Sequence, residues 1–408
     1  MRLSRHIWQS LLFDQDFTSC LYLVTLPRRE ERRRFINNTN AIDYLNWRGD
    51  LTFDNSPINE VDMFILSQIS TADFKGIIPE NVEIKLCDAF EEFFKIYAVN
   101  DSLGVLQSQY VMNMYNIIKD KARYKDLLLR HQVVIYDNEN EEQFSAITIV
   151  LPDGSICVSF RGTDDTIIGW KEDCNLSVYD TVPAQKDAVD YLVSESNYDK
   201  TSKIRICGHS KGGNLAVYSA VSASKEIRDR IIDVYSFDGP GFQSSFFDKE
   251  GYFDIKDRIF SICSQNSLVG VLLKSAGRLE IIHSRVFGPL AHDGFNWTLM
   301  GTRFDREKEI SEFSLFFQKL CNQYIEKSTE EEKTALFDEL FDALLNSGCS
   351  TLTELTAMSP TETIKFLRSI NGSKNVKEFL RQIIRAIGKE TTKKLGLINP
   401  YEDMLSEK

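Results

Sequence analysis

Residues 204–213 read Ile-Arg-Ile-Cys-Gly-His-Ser-Lys-Gly-Gly, a β-branched apolar run that ends in a Gly-x-Ser-x-Gly pattern. The small and apolar residues that follow, 214–223, are typical of a helix. A serine at such a strand-to-helix turn has its hydroxyl pushed clear of the backbone, and the strand and helix approach too closely for a Cβ beside it. The pattern predicts a nucleophile elbow with Ser210 as the nucleophile and glycine at 208, 212 and 213.

A serine nucleophile needs a neighbouring base, and histidine titrates in the useful range. The chain has five histidines, and in hydrolases of this architecture the base follows the nucleophile in the chain, which leaves His283 and His292. His283 lies in the strand-like run 279–287, where a hydrogen-bonded face residue is common. His292 lies in a loop bounded by turn formers, 288–294, and such loops present functional residues. We expect His292 to be the base, with His283 as the alternative.

The acid that would orient the imidazole has two candidate positions. After the strand-like run 259–263 the residues are Ser-Gln-Asn-Ser, without a carboxylate, although Asn266 could hold an imidazole through its amide. After the strand-like run 231–237 comes Asp238, in Asp-Gly-Pro-Gly. An aspartate before Gly-Pro is also a common turn starter. The sequence therefore leaves Asp238 and Asn266 both open.

A second block, residues 156–163, reads as a buried strand that ends in Arg-Gly-Thr. This layout is typical of an oxyanion site, in which two backbone N–H donors converge where a tetrahedral intermediate develops charge. Thr163 would provide one N–H together with its hydroxyl, and Lys211 the other. For Arg161 and Asp173 we expect a structural ion pair, and for Trp170 a position in the core.

These two blocks resemble the class 3 (fungal-lipase-like) branch of the α/β-hydrolases, whose pattern has the same Arg-Gly-Ser/Thr segment and Gly-His-Ser-x-Gly-Gly elbow. A closer resemblance is to the Mbeg-like bacterial family, a domain family of unknown function within that branch. It covers about residues 40–300 and rests on these stretches: Ile42-Asp43-Tyr44-Leu45, Trp47-Arg48-Gly49-Asp50, Asn59-Glu60-Val61-Asp62, Phe237-Asp238-Gly239-Pro240-Gly241-Phe242, Ser267-Leu268-Val269-Gly270 and His292-Asp293-Gly294-Phe295-Asn296-Trp297.

The resemblance implies an α/β-hydrolase fold with Ser210 as nucleophile, His292 as base, and Thr163 with Lys211 as the oxyanion site. The class 3 pattern has an aspartate near residues 265–267, where this chain has none. The position of the acid therefore departs from that pattern.

Composition narrows the functional classes. The formal charge of -12 argues against nucleic-acid binding, which usually needs a basic face. Eight scattered cysteines read as reduced residues without the paired spacing of a zinc site, and we expect no cofactor. We find neither a signal peptide nor an apolar stretch of about eighteen residues that could span a membrane. The expected location is cytoplasmic; oligomeric state is open.

The order of patterns along the chain predicts an N-terminal extension over 1–40, an α/β-hydrolase domain over 41–300 and a helical C-terminal unit over 301–408. Alternation of strands and helices implies a mostly parallel sheet covered on both faces. Residues 105–129 and, further on, 311–327, 330–346, 360–369 and 376–387 have helical spacing.

Two functional hypotheses follow. The first is a serine hydrolase that cleaves a small-molecule or lipid acyl ester through an acyl-enzyme on Ser210. The alternative is a non-catalytic α/β-hydrolase scaffold that binds a ligand or protein, motivated by the missing carboxylate near Asn266.

Overall fold

An eight-stranded sheet forms the centre of the protein. The computed structural model describes residues 39–79, 82–104, 108–346, 350–351 and 354. The strands contain many β-branched and aromatic residues, which suit a pleated surface packed on both sides. They are β1 (Ile84–Lys85), β2 (Leu128–Asp137), β3 (Glu142–Val150), β4 (Ile156–Phe160), β5 (Ile204–His209), β6 (Ile231–Phe237), β7 (Ile259–Ser264) and β8 (Arg278–Ile282).

The strands lie in the sheet in the order in which they occur in the chain. From β1 to β4 neighbouring strands are antiparallel, and from β4 to β8 they are parallel. The carboxyl ends of β4 to β8 therefore meet at one edge, where ligand sites of open α/β sheets are found. A separate two-stranded ribbon pairs β9 (Leu299–Met300) with β10 (Arg303–Phe304).

The helices cover both faces of the sheet. They are α1 (Ala41–Arg48), α2 (Glu60–Ile69), α3 (Leu86–Ile96), α4 (Tyr110–Ile118), α5 (Ile167–Asn175), α6 (Pro183–Tyr198), α7 (Lys211–Ser222), α8 (Lys225–Arg228), α9 (Glu250–Ile255), α10 (Glu312–Lys327) and α11 (Glu330–Leu345). Short 3₁₀ turns occur at Ser244–Asp248, Lys256–Arg258, Gly288–His292 and Gly294–Asn296.

Two apolar cores lie on the two sides of the sheet. One contains Phe64 of α2 and Cys157 of β4, and the other contains Val158 of β4 and Leu215 of α7. Consecutive residues of β4 thus enter different cores, as the period of a strand requires. This double burial explains why the central strands read as continuous apolar runs.

The predicted mostly parallel sheet with helices on both faces is confirmed. The helix expected over residues 105–129 is shorter, because α4 ends at Ile118 and β2 begins at Leu128. The expected helices at 311–327 and 330–346 correspond to α10 and α11. The predicted extension over residues 1–40, apart from its last two residues, and the helices at 360–369 and 376–387 lie outside the described residues.

The helices α10 and α11 contact residues around the sheet. Lys171 of α5 forms ion pairs with Asp338 of α11 at 2.8 Å and with Glu141 at 2.6 Å. The side-chain amide of Gln318 in α10 donates to the carbonyl of Val271 at 2.9 Å. None of the described helices combines the length and apolarity needed to cross a membrane.

Candidate active site

Ser210 occupies a sharp turn between β5 and α7. Its backbone has φ 58° and ψ −133°, a conformation that is rare for a residue with a side chain, and its N–H donates to the carbonyl of Phe237 at 2.9 Å. Backbone strain of this kind is often found at functional sites. The strained backbone therefore marks Ser210 as a candidate functional residue.

The glycines of this turn are required by close backbone contacts. A Cβ on Gly208 would lie 2.1 Å from the carbonyl oxygen of Gly212, and a Cβ on Gly212 would lie 2.2 Å from that of Phe160. Backbone atoms cannot move aside as the end of a flexible side chain can. The close approach of strand and helix that the glycine pattern predicts is therefore present in the structure.

His292 and Asp238 are brought together from loops that follow different strands. Asp238 comes directly after β6, and His292 ends the 3₁₀ turn beyond β8. The Nδ1 atom of His292 lies 2.7 Å from Oδ2 of Asp238. Asp238 is buried, whereas His292 remains partly exposed. A buried carboxylate on Nδ1 fixes the imidazole tautomer that leaves Nε2 able to accept a proton.

The Asp238 carboxylate accepts further hydrogen bonds from the segment after β7. The hydroxyl of Ser267 donates to Oδ2 at 2.8 Å and the N–H of Ser264 to Oδ1 at 3.2 Å. Asp238 itself has φ 50°. These hydrogen bonds fix the orientation of the carboxylate beside His292. Ser264 and Ser267 were absent from the predicted site, since serine after a strand has no distinctive signal.

The two alternatives left open by the sequence have other partners. The side-chain amide of Asn266 donates to the carbonyl of Val286 at 3.0 Å, so Asn266 does not take the place of Asp238 beside His292. His283 contacts Glu307 and Gln265 through Nδ1 at 3.0 and 2.9 Å. It therefore sits in a network of its own at the end of β8.

His209, the residue before Ser210, supports the His292 loop. Its ring stacks on the His292 ring with centroids 4.7 Å apart, and its Nε2 lies 2.8 Å from the His292 carbonyl oxygen. Because a carbonyl only accepts, this Nε2 carries the proton. Burial, and then the neighbouring His292, lower the pKa of His209 to about 3, so the ring is neutral near pH 7. The sequence indicated only that this position lies inside the elbow.

The Ser210 hydroxyl and the His292 imidazole form no direct hydrogen bond in the part of the chain that the structure describes. Serine–histidine contacts are often long without substrate and tighten in the Michaelis complex. The two residues are nevertheless linked through His209, which precedes Ser210 and binds the His292 carbonyl.

The predicted oxyanion segment lies directly against Ser210. A Cβ on Gly162 would be 3.0 Å from Cβ of Ser210 and 2.6 Å from the carbonyl oxygen of His209. The hydroxyl of Thr163, the next residue, donates to Oδ2 of Asp173 at 2.5 Å. Glycine at 162 thus lets the chain that carries Thr163 pass close to the serine.

Two expectations about this segment were wrong. Arg161 does not pair with Asp173; its Nη2 lies 3.2 Å from Oδ2 of Asp164 and donates to the Tyr136 hydroxyl at 2.7 Å. Asp164 is only three residues from Arg161 in the chain, so its carboxylate lies within reach of the guanidinium group. Trp170 is not a core residue, because it lies on the outer face of α5 and is 37% exposed.

The side chain of Lys211 forms a buried ion pair that the sequence did not predict. Its Nζ lies 2.8 Å from Oε2 of Glu172, and both side chains have 0% exposure. It also donates to the carbonyl of Gln143 at 2.7 Å. The only sequence signal was a charged residue at the variable position after the serine, where the expected role involved the backbone alone.

Asp173 is a second buried carboxyl beside this site. Its Oδ1 is buried and has no hydrogen-bond partner among the described residues. Burial raises the pKa of Asp173 to about 6, opposed by the nearby Lys211 charge and by the Thr163 hydrogen bond. This group therefore titrates close to neutral pH.

A cavity of about 190 Å³ adjoins the segment after β4, with Arg161, Asp164, Tyr97 and Tyr136 in its walls. In the described ranges, no group of three or more His, Cys, Asp or Glu side chains is arranged to hold a metal ion.

The sheet, parallel from β4 to β8 with helices on both faces and a serine turn after β5, defines an α/β-hydrolase fold. The chain belongs to the Mbeg1-like family, whose model matches residues 118–342. No curated protein matches the chain.

Three solved structures are similar at low identity. They are M37 lipase (15% identity, 53% of this chain and 71% of that chain, TM-score 0.35), a native Rhizomucor miehei lipase propeptide complex (12%, 55% and 67%, TM-score 0.33), and Lip2 lipase from Yarrowia lipolytica (11%, 58% and 92%, TM-score 0.31).

Proposed function

We propose that the protein is a serine hydrolase that cleaves a carboxylic ester, of a lipid or of a smaller acyl compound, through an acyl-enzyme on Ser210. The observation that carries this proposal is the 2.7 Å contact between His292 Nδ1 and Asp238 Oδ2. It occurs at the edge of the sheet where Ser210 occupies the strained turn between β5 and α7. A nucleophile, a base and an orienting acid from three loops at one edge are the components of such a site.

In the proposed acylation step, the Ser210 oxygen attacks the ester carbonyl carbon while Nε2 of His292 takes the hydroxyl proton. The tetrahedral intermediate then collapses, and the imidazolium returns that proton to the departing alkoxide, which leaves as the alcohol. Asp238 stabilises the imidazolium without accepting its proton. The acyl group remains on the Ser210 oxygen.

In the deacylation step, water attacks the acyl carbon and gives a proton to Nε2 of His292. The second tetrahedral intermediate releases the carboxylic acid, and the proton returns to the Ser210 oxygen. The same imidazole thus acts as base and then as acid in both halves of the reaction. These steps balance with the ester, water and the two side chains, without an oxidant, a reductant or a cofactor.

The proposed oxyanion donors are the backbone N–H groups of Thr163 and Lys211. Support comes from Gly162, which brings the Thr163 segment against Ser210, and from Lys211, the first residue of α7. The N-terminus of a helix carries partial positive charge and N–H groups without intrahelical acceptors. Both favour the negative oxygen of a tetrahedral intermediate.

A fluorophosphonate probe and chromogenic esters of increasing acyl length test the proposal. We expect the wild-type protein to be labelled and to turn over esters, and both signals to be lost in Ser210→Ala and His292→Ala. His283→Ala is the matched control, because His283 has its own partners at the end of β8, and should keep both signals.

A folded wild-type protein that neither takes the label nor hydrolyses any ester would overturn the proposal and favour the alternative, a binding scaffold. The same assay series gives the preferred acyl length. Bacterial origin and a cytoplasmic location remain predictions from the sequence.

A further inference from the structure

We propose that the buried Lys211–Glu172 ion pair is a positioning device that fixes the two oxyanion donors at their working separation. This inference rests on the proposed function, because it assigns a role to side chains that lie behind the proposed donors Thr163 and Lys211. Neither side chain is exposed, so neither is placed to touch substrate.

Glu172 of α5 contacts residues of three other elements, α7, β3 and α6. Its Oε2 accepts from Nζ of Lys211 at 2.8 Å and from the N–H of Gln143 at 3.1 Å, while its Oε1 accepts from the N–H of Ala184 at 2.9 Å. The Nζ of Lys211 also donates to the carbonyl of Gln143 at 2.7 Å. The pair therefore ties the start of α7 and the body of α5 to the same residue of β3.

These contacts join the two proposed donors by a short route. One donor is the backbone of Lys211, whose own side chain binds Glu172. The next residue along α5, Asp173, accepts from the hydroxyl of Thr163, whose backbone is the other donor. Each end of the Lys211–Glu172 pair is thus at most two residue contacts from an oxyanion N–H. A change in the Lys211–Glu172 pair would therefore alter the distance between the two oxyanion N–H groups.

Stability does not explain why a charged pair occupies this position. Removing two charges from water costs several kcal/mol per ion, and apolar replacements of similar size are often neutral or stabilising. An apolar residue at 211 would supply the same backbone N–H. What an ion pair adds is a directional contact of fixed length, which apolar packing lacks.

The rate of reaction at an oxyanion site depends strongly on the distances between its donors and the oxyanion. Its donors must lie about 2.7–3.1 Å from the developing oxyanion, and a displacement near 1 Å can cost about 100-fold in rate. The expected consequence of releasing the pair is therefore a loss of turnover, with substrate binding largely retained.

The test variant is Lys211→Met/Glu172→Gln, which removes both charges, preserves side-chain length and leaves neither member of the pair charged without the other. The matched control is Arg205→Met/Asp233→Asn, which makes the same change in an ion pair between β5 and β6. Thermal unfolding identifies a temperature at which every variant is fully folded, and all kinetics are measured there.

For Lys211→Met/Glu172→Gln we expect kcat to fall about 10- to 100-fold, with KM within about twofold of wild type. The inhibition constant of an alkylboronic acid, which forms a tetrahedral anionic adduct on serine, should rise by the same factor as kcat/KM falls. The control variant should keep the wild-type kcat and boronic-acid affinity. A merely structural role for the pair would move unfolding temperature alone.

A folded test variant with wild-type kcat and wild-type boronic-acid affinity would overturn the inference. If the double variant does not fold, Glu172→Asp takes its place: it retains both charges, shortens one arm by a methylene, and should show the same paired loss of kcat and boronic-acid affinity. Absence of ester turnover and labelling in the wild type is a separate result, which overturns the proposed function itself.

Discussion

Two buried aspartates lie in the neighbourhood of His292 and differ in how their oxygens are satisfied. Asp238 accepts from the His292 imidazole, the Ser267 hydroxyl and the Ser264 N–H. Asp173 accepts from the Thr163 hydroxyl on one oxygen, while its other oxygen is buried and has no hydrogen-bond partner within the described part of the chain. Burial raises the pKa of Asp173 to about 6.

The difference shows that residue type and proximity do not assign a catalytic role. Hydrogen bonds stabilise a carboxylate in its charged form, and only a charged carboxylate can stabilise an imidazolium. The surroundings of Asp238 suit it to orient His292, whereas those of Asp173 suit it to hold Thr163. Three substitutions test this assignment, and a fourth tests the Gly162 contact that places the Thr163 segment beside Ser210.

The largest effect is expected from Asp238→Asn. An amide at this position retains the size of the side chain but favours the wrong imidazole tautomer, so kcat should fall about 10³- to 10⁴-fold at pH 7. Steady-state hydrolysis of a chromogenic ester measures this fall in kcat. Asp173→Asn is the paired control, and an equal loss of kcat in both variants would remove the distinction between the two aspartates.

Gly162→Ala tests the contact between the two sides of the site. The added Cβ would lie 2.6 Å from the carbonyl oxygen of His209, so the Thr163 segment must move away from Ser210. We expect kcat to fall about 100-fold. Gly154→Ala, where a Cβ would meet no atom within 4 Å but φ is +79°, controls for a general loss of stability. Wild-type kcat in Gly162→Ala would mean that the segment does not serve the reaction.

Thr163→Val should have a moderate effect. The variant loses the hydroxyl that donates to Asp173 but keeps the backbone N–H, so we expect kcat to fall roughly 10-fold, less than the 10²–10³ that follows loss of a direct oxyanion donor. Thr163→Ser restores the hydroxyl and should recover most of the activity. Failure of that rescue would show that the Thr163–Asp173 hydrogen bond is not the cause.

The smallest effect on turnover is expected from Asp173→Asn, whose main effect is on stability as a function of pH. Because the folded pKa is raised above its ordinary value, the native state holds a proton between about pH 4 and 6 that the unfolded state has released. The free energy of unfolding of the wild type therefore falls across this window, by up to about 3 kcal/mol.

Denaturant unfolding at several pH values measures this difference. Asp173→Asn has no titrating group, so its stability relative to wild type should increase from pH 4 to pH 6 and then level off. A difference that does not change with pH would contradict a raised pKa for Asp173.

Much of the fold could be predicted from local patterns. The apolar runs that became β4 to β7 and the turn around Ser210 have strong periodicity and short-range signals. The helix expected over 105–129 was too long, because apolar spacing in that stretch also arises from the beginning of β2 at Leu128. Pattern alone does not separate a short buried strand from a helix.

Fewer contacts of the candidate active site could be predicted from the sequence. The positions of their loops indicated His292 and Asp238, but only the structure shows the 2.7 Å contact between these two residues and the hydrogen bond of Asn266 to Val286. The expected Arg161–Asp173 pair was wrong, since Asp164 and Tyr136 bind Arg161 instead. Long-range pairings of this kind depend on how loops from different strands meet.

The strand-to-helix turn at Ser210 and the glycine at position 208 follow from the sequence, because Gly208 is crowded by the backbone of Gly212, only four residues further along the chain. Three contacts depend on the fold of the whole chain: His209 with the His292 loop, Asp238 with the imidazole, and Lys211 with Glu172. These contacts join residues that lie between 39 and 83 positions apart in the chain. Their geometry is fixed by the parallel sheet, which brings the carboxyl ends of separate strands to one edge.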